Sequence, residues 1–219
     1  MLKLGEKGTI LQRDKETYAI APHIPCGMTT PAQLRVIADV ADKYQCQALK
    51  LTSAARIAII GIREEDVDAI WADLNMSPGH AVGICVRSIK ACPGTHYCRL
   101  GLQDSLSMGM HLDEKFHGYQ LPGKMKMGVS GCTNMCAENC IKDISLFGNK
   151  KGWTVMAGGI GTKKPRLADV IAEDLDEQQA LRKIEALISY YAENGQKNER
   201  LGRMIERLGL DALRHAVNG

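Results

Sequence analysis

A chain of 219 residues, 45% apolar and 24% charged, is long enough for one large domain or two small ones with a real core. Its net charge of +3 and its two Phe and two Trp argue against a nucleic-acid surface built on charge and base stacking. No apolar run reaches the ~20 residues that span a bilayer, and Met1 to Lys7 lacks the apolar stretch of a secretory leader. The expected compartment is a reducing cytoplasm, where eight cysteines mean metal or redox chemistry rather than disulfides.

In chain order, Thr17 to Ile24 reads as a strand ending at the turn signal Pro25-Cys26-Gly27. Thr30 reads as a helix N-cap, with Pro31 at the first helical position and Gln33 closing a capping box. Leu34, Ile37, Ala38, Ala41 and Tyr44 follow at helical spacing and predict one buried face. Ala48 to Thr52 and Ile57 to Ile62 are β-type runs. The second is nearly continuous and is expected to be central and covered on both faces. Glu64 to Leu74 returns to helix.

Val82 to Lys90 is predicted as a strand feeding Cys92, and Leu102 to Phe116 as a helix. Lys124 to Val129 alternates Lys-Met-Lys-Met, the pattern of a half-buried strand, and delivers Cys132. Ile144 to Phe147 and Trp153 to Met156 predict a hairpin around Gly148-Asn149-Lys150-Lys151-Gly152. Asp176 and Gln179 form a second capping box ahead of a face of Leu181, Ile184, Leu187, Ile188 and Tyr191, and Gly195 stops that helix. Arg200 to Val217 adds one or two short helices, read as structural cover. No low-complexity linker divides the chain, so its two parts are expected to pack as one compact unit.

The cysteines carry the chemistry. Cys92 and Cys98 stand in Ala91-Cys92-Pro93-Gly94-Thr95-His96-Tyr97-Cys98, and Cys132 and Cys136 in Gly131-Cys132-Thr133-Asn134-Met135-Cys136. Two thiol pairs on two loops are what a cubic iron–sulfur cluster requires, and Gly and Pro permit close backbone approach. The gaps match neither the shorter spacing of zinc ribbons nor the two-residue runs of ferredoxins, although a structural zinc domain stays open at this point. Cys136 and Cys140 repeat the three-residue gap, so Cys140 is an alternative ligand. Cys26, Cys46 and Cys85 read as structural, and His96 as a neighbour of the loop rather than a ligand. Met108, Met110, Met125, Met127 and Met135 read as core filler. Arg56, Arg87, Lys90, Arg99, Lys124, Lys126 and Lys142 bracket the cysteine loops, an excess that needs a reason. For Lys124 and Lys126 the bland alternative is one solvated face of an edge strand.

With Arg87-Ser88-Ile89-Lys90-Ala91-Cys92-Pro93-Gly94 before the first pair and Lys124-Met125-Lys126-Met127-Gly128-Val129-Ser130-Gly131-Cys132 between, the chain resembles the sirohaem and [4Fe–4S] sulfite and nitrite reductases. Pro25-Cys26-Gly27-Met28-Thr29-Thr30, Leu51-Thr52-Ser53-Ala54-Ala55-Arg56, Gly61-Ile62, Gly152-Trp153 and Gly158-Gly159 extend the resemblance over nearly the whole chain. At about half the length of the duplicated members, it resembles the single-copy, low-molecular-weight assimilatory type. The resemblance implies an α+β (mixed α/β) fold. A ferredoxin-like half, residues 1–78, would pack on a mixed-sheet sirohaem and cluster half, residues 79–219, with C-terminal helices.

It also implies an enzyme reducing sulfite to sulfide with six electrons. The alternatives are reduction of nitrite to ammonia and a non-catalytic iron–sulfur and haem carrier. By resemblance Cys92, Cys98, Cys132 and Cys136 ligate the cluster, and Cys136 also bridges it to the sirohaem iron. Arg87, Lys124 and Lys126 match the family's substrate contacts. Its other substrate arginine falls at His23, a departure that leaves that contact to an imidazole. Arg56 and Arg99 are expected partners of the macrocycle's carboxylates, which need pairing when buried. No Gly-rich dinucleotide fingerprint or flavin segment is present, so electrons are expected from an external donor such as a ferredoxin-like protein. No nucleic-acid or membrane partner is expected.

Overall fold

Two separate sheets organise the computed structural model, which describes residues 1–218. The chain divides into two compact units, Met1–Gly83 and Ile84–Gly219.

In the first unit, strands β1 (Ile10–Leu11), β2 (Tyr18–Ile20), β3 (Ala48–Leu51) and β4 (Ile57–Ile62) form an antiparallel sheet in the order β1-β2-β4-β3. Helices α1 (Pro31–Lys43) and α2 (Val67–Leu74) complete it. Thr30 caps α1 as predicted: its hydroxyl accepts the Gln33 amide at 3.2 Å, and Gln33 Oε1 accepts the Thr30 amide at 3.1 Å. Ile37, Val40 and Ala41 of α1 share one core with Ile59, Ile62, Ile70 and Leu74. Leu34 and Ala38, predicted for the same face, are exposed. The central strand is β4, but it is not covered on both faces. Only Ile59 and Ile62 are fully buried, because α1 and α2 contribute to a single core.

In the second unit, β5 (Val86–Ala91), β6 (Met125–Ser130) and β7 (Ile144–Gly148) run parallel, while β8 (Trp153–Ala157) and β9 (Asp169–Leu175) are antiparallel additions, giving a mixed sheet in chain order. A short α3 (Gly94–Tyr97) and then α4 (Ser105–Phe116), capped by Asp104, make the crossover from β5 to β6. Helix α4 packs on both those strands and α5 (Glu177–Asn194) on β8 and β9. The Asp176 and Gln179 capping box forms, and Gly195 ends α5, as the sequence predicted. Helices α6 (Leu201–Leu208) and α7 (Leu210–Asn218) follow. The sequence reading anticipated neither α3 nor β9. Met108, Met125 and Met127 are core residues as expected, whereas Met110 is exposed.

Side chains alternate along a strand, so β6 turns Met125, Met127 and Val129 to one face and Lys126, Gly128 and Ser130 to the other. The ladder places Ser88 beside Lys126 and Lys90 beside Gly128, with Ser145 and Phe147 of β7 continuing the second face. That face carries the site.

Candidate functional site

Both cysteine pairs leave the same end of neighbouring parallel strands. Ala91 pairs with Val129, and each strand then releases its loop, at Cys92 and at Gly131-Cys132. The carboxyl ends of parallel strands are where open α/β sheets hold their ligands. The loops lock together: the Cys92 amide donates to the Val129 carbonyl at 3.0 Å, and the Leu102 and Gln103 amides donate to the Gly131 carbonyl at 2.7 and 3.0 Å. A Cβ on Gly131 would lie 2.8 Å from Gly94 Cα, so this contact requires glycine. The Gly131 amide donates to Cys92 Sγ at 3.1 Å, and Ser105 Oγ lies 3.2 Å from the same sulfur. Such bonds to a ligating sulfur tune a cluster's potential.

The second loop folds back over the polar face of β6. Ser130 Oγ donates to Asn139 Oδ1 at 2.6 Å and accepts the Ala137 amide at 3.0 Å. Asn139 Nδ2 donates to the carbonyls of Leu146 at 2.5 Å and Gly128 at 3.4 Å. Ser145 Oγ donates to the Asn139 carbonyl at 3.0 Å, and all of these groups are buried. Met135 and Glu138 adopt positive φ, bending the loop on either side of the exposed Cys136. Cys92, Cys98 and Cys132 are half-buried. Cys140 is also half-buried, but its sulfur rests 3.6 Å from Met135 Sδ. Among the described residues no three His, Cys, Asp or Glu side chains are grouped closely enough to hold a single metal ion. Thiols spread over two interlocked, glycine-lined loops suit a larger inorganic core.

His96 is occupied elsewhere: its Nδ1 lies 3.0 Å from Asp104 Oδ1, at the α4 cap. Glu138 bridges two of the expected basic residues, Lys90 at 3.0 Å and Lys142 at 2.8 Å. The lysines, Lys142 first, hold its carboxyl down at about 2 against an ordinary 4.5. A depressed carboxylate stabilises the fold fully above its unfolded pKa and loses that contribution as pH falls through the folded value. The protection of amides in residues 132–141 against exchange, taken relative to their intrinsic rates, should therefore fall between pH 4.5 and 2, and Glu138→Gln should remove that fall.

Arg87, Lys124 and Lys126 are near enough for their charges to act on one another. The β5 register shifts between Val86 and Ser88, so Arg87 is the extra residue, the kind of bulge that re-aims a side chain. Burial lowers the pKa of Lys126, and Lys142, Lys124 and Arg200 lower it further while Asp143 opposes them. Burial also lowers Lys124, with Arg200 and Arg87 adding to it. Arg87 is lowered by burial and by Arg200. Sequence reading missed Arg200. It forms a two-pronged ion pair with the buried Asp143, at 2.6 and 2.7 Å, and no local signal links residues so distant in the chain.

In the first unit, Arg56 is buried against Gly79, where a Cβ would lie 3.0 Å from its Cδ and Nε. Burial, then Arg56 and His23, lower the pKa of His80, so these three basic groups are neighbours. His80 was not anticipated. Arg99 is exposed, one residue beyond Cys98.

Residues 82–219 match the family model of the nitrite and sulphite reductase 4Fe-4S domain, and residues 10–77 that of the nitrite/sulfite reductase ferredoxin-like half domain. The chain belongs to this reductase family. It is 43% identical over 213 residues to an assimilatory-type sulfite reductase of Nitratidesulfovibrio vulgaris, covering 97% of this chain and 98% of that protein. It is 38% identical to a nitrite reductase [NAD(P)H] of Bacillus subtilis, covering 95% of this chain but 26% of the relative. The fold matches a crystal structure of dissimilatory sulfite reductase I, with a TM-score of 0.83 at 15% identity, covering 92% of this chain and 69% of that one. Members of this reductase family are oxidoreductases that use sirohaem and a [4Fe–4S] cluster. The glycine-lined cysteine loops fit the cluster. No helix among the described residues is long and apolar enough to cross a membrane.

Proposed function

We propose that the protein is a sulfite reductase, taking sulfite to sulfide with six electrons from an external donor such as a ferredoxin-like protein, in the cytoplasm. The observation that carries this reading is the grouping of Arg87, Lys124 and Lys126 at the sheet whose strand ends bear the cysteine loops, with Arg200 reaching them from ahead of α6. Cys92, Cys98, Cys132 and Cys136 would hold the cluster, with Cys136 shared with the haem iron. When bound, the coupled sirohaem and cluster supply the electrons. In this reading residues 1–78 act as the ferredoxin-like half and residues 79–219 as the cofactor-binding half.

The remaining chemistry falls to side chains. Arg87, Lys124 and Lys126 bind and orient the anion, since a doubly charged oxyanion taken from water needs fixed cations and hydrogen-bond donors. Each S–O cleavage releases oxygen as water and consumes protons. A lysine whose pKa is lowered by burial and neighbouring cations gives up a proton more readily than an ordinary one. His23 supplies a hydrogen bond or proton where the family has arginine, and Arg56 and Arg99 pair with the macrocycle's carboxylates.

The visible spectrum of purified protein, together with reduced-viologen assays on sulfite and nitrite, tests the reading. Sirohaem bands with sulfite turnover support it. Cluster absorbance alone, or silence toward both anions with both cofactors bound, overturns it, and turnover of nitrite only reassigns the substrate. Lys126→Ala should lower kcat at least about tenfold, and unchanged turnover would remove that lysine from the mechanism.

A further inference from the structure

We propose that Asp143 and Arg200 are positioning residues for Lys126: the carboxylate grips the Lys126 peptide, and the guanidinium, carried by the C-terminal segment, fixes the carboxylate. The inference rests on Lys126 being the proton donor of the preceding section. Asp143 Oδ2 accepts the Lys126 amide at 2.7 Å, and the Asp143 amide donates to the Lys126 carbonyl at 3.0 Å. Arg200 Nε and Nη2 donate to Oδ1 and Oδ2 of the same carboxylate at 2.6 and 2.7 Å. The Gly158 amide donates to the Asp143 carbonyl at 2.7 Å, tying the strand entrance to the end of β8. The Asp143 side chain is 0% exposed and that of Arg200 13%.

Position explains this pair better than stability does. A buried ion pair is often no more stabilising than an apolar pair of the same shape, whereas removing one partner leaves a buried charge uncompensated. Here the pair holds the backbone of Lys126 at both its N–H and its C=O. The C-terminal helices are therefore more than a cover, because Arg200 immediately precedes α6. The charges that act on Lys126 are Lys142 and Asp143 ahead of β7, Lys124 just ahead of its own strand, and Arg200 ahead of α6. Glu138 pairs with Lys142 from the cysteine loop.

Competitive acetylation of the full-length chain across pH, read at Lys126 by mass spectrometry, tests the proposal independently of turnover. Arg200→Gln removes a cation and should move the Lys126 labelling midpoint to higher pH. Asp143→Asn removes an anion and should move it lower. A merely structural pair would loosen and expose Lys126 in both variants, shifting both midpoints upward, and that result overturns the proposal, as does no shift. In viologen-driven turnover, Arg200→Gln should lower kcat about tenfold, short of the ~100-fold or more that outright loss of acid catalysis costs, with Arg200→Lys recovering most of it. The double variant Asp143→Asn/Arg200→Gln keeps amide hydrogen bonding without buried charge, and so decides the matter if a single variant does not fold. A kcat near wild type supports positioning, and a loss as large as that of Lys126→Ala overturns it. If Lys126→Ala itself retains full turnover, the proton-donor reading falls, and the labelling midpoints still decide the positioning.

Discussion

Cys136→Ser should abolish sulfite turnover and uncouple haem from cluster, while Cys140→Ser should keep both centres. The two cysteines are equally spaced candidates in the sequence, so the pair is a direct comparison. Cys136 is exposed and lies between the positive-φ Met135 and the buried Ala137, whose amide is held by Ser130. Its thiol stands clear of the loop's own bonding. Cys140 is packed instead: its sulfur rests on Met135, and its carbonyl accepts the Ala168 amide at 2.8 Å. A serine oxygen is a harder donor than thiolate and a poor substitute toward iron–sulfur chemistry. Iron and acid-labile sulfide content, optical spectra and electron paramagnetic resonance of both variants check the assignment. Loss of iron from Cys140→Ser, with Cys136→Ser intact, would exchange the two roles.

Asn139→Ala should destabilise the second unit by about 3–5 kcal/mol, since each buried polar group left without its partner costs roughly 1–3 kcal/mol. Three buried groups would lose this partner: the Ser130 hydroxyl and the carbonyls of Gly128 and Leu146. For a chain of this size that corresponds to a Tm lower by roughly 10 °C. Denaturant and thermal unfolding measure it directly. The same variant should retain less iron, because the loop bearing Cys132 and Cys136 loses its anchor between β6 and β7. A loss under about 1 kcal/mol would mean that water replaces the asparagine and that the network is not what shapes the loop.

Much of this was legible because the signals were local. Both capping boxes, Thr30 with Gln33 and Asp176 with Gln179, lie within one helical turn, and both formed. Strand β4 was predicted at its observed bounds, yet its coverage was misjudged, since an apolar run says nothing about how many layers pack on it. The Lys124 and Lys126 alternation disclosed the polar face of β6. Nothing in it disclosed that Asp143 and Arg200 would hold that strand from behind, because their partners are remote in sequence. His80 was invisible for the same reason: its neighbours His23 and Arg56 reach it only through the fold.

The crossover through α4 has a consequence for biosynthesis. Cys92 and Cys98 leave the ribosome before Cys132 and Cys136 exist, and at about 5–20 residues per second that interval lasts a few seconds. A parallel ladder cannot form until its second strand arrives, so the first pair must wait as bare thiols, open to oxidation or to capture by stray metal. The topology that brings the two pairs side by side thus sets a period of chemical vulnerability. The yield of correctly loaded protein should depend on how reducing the cell is during translation.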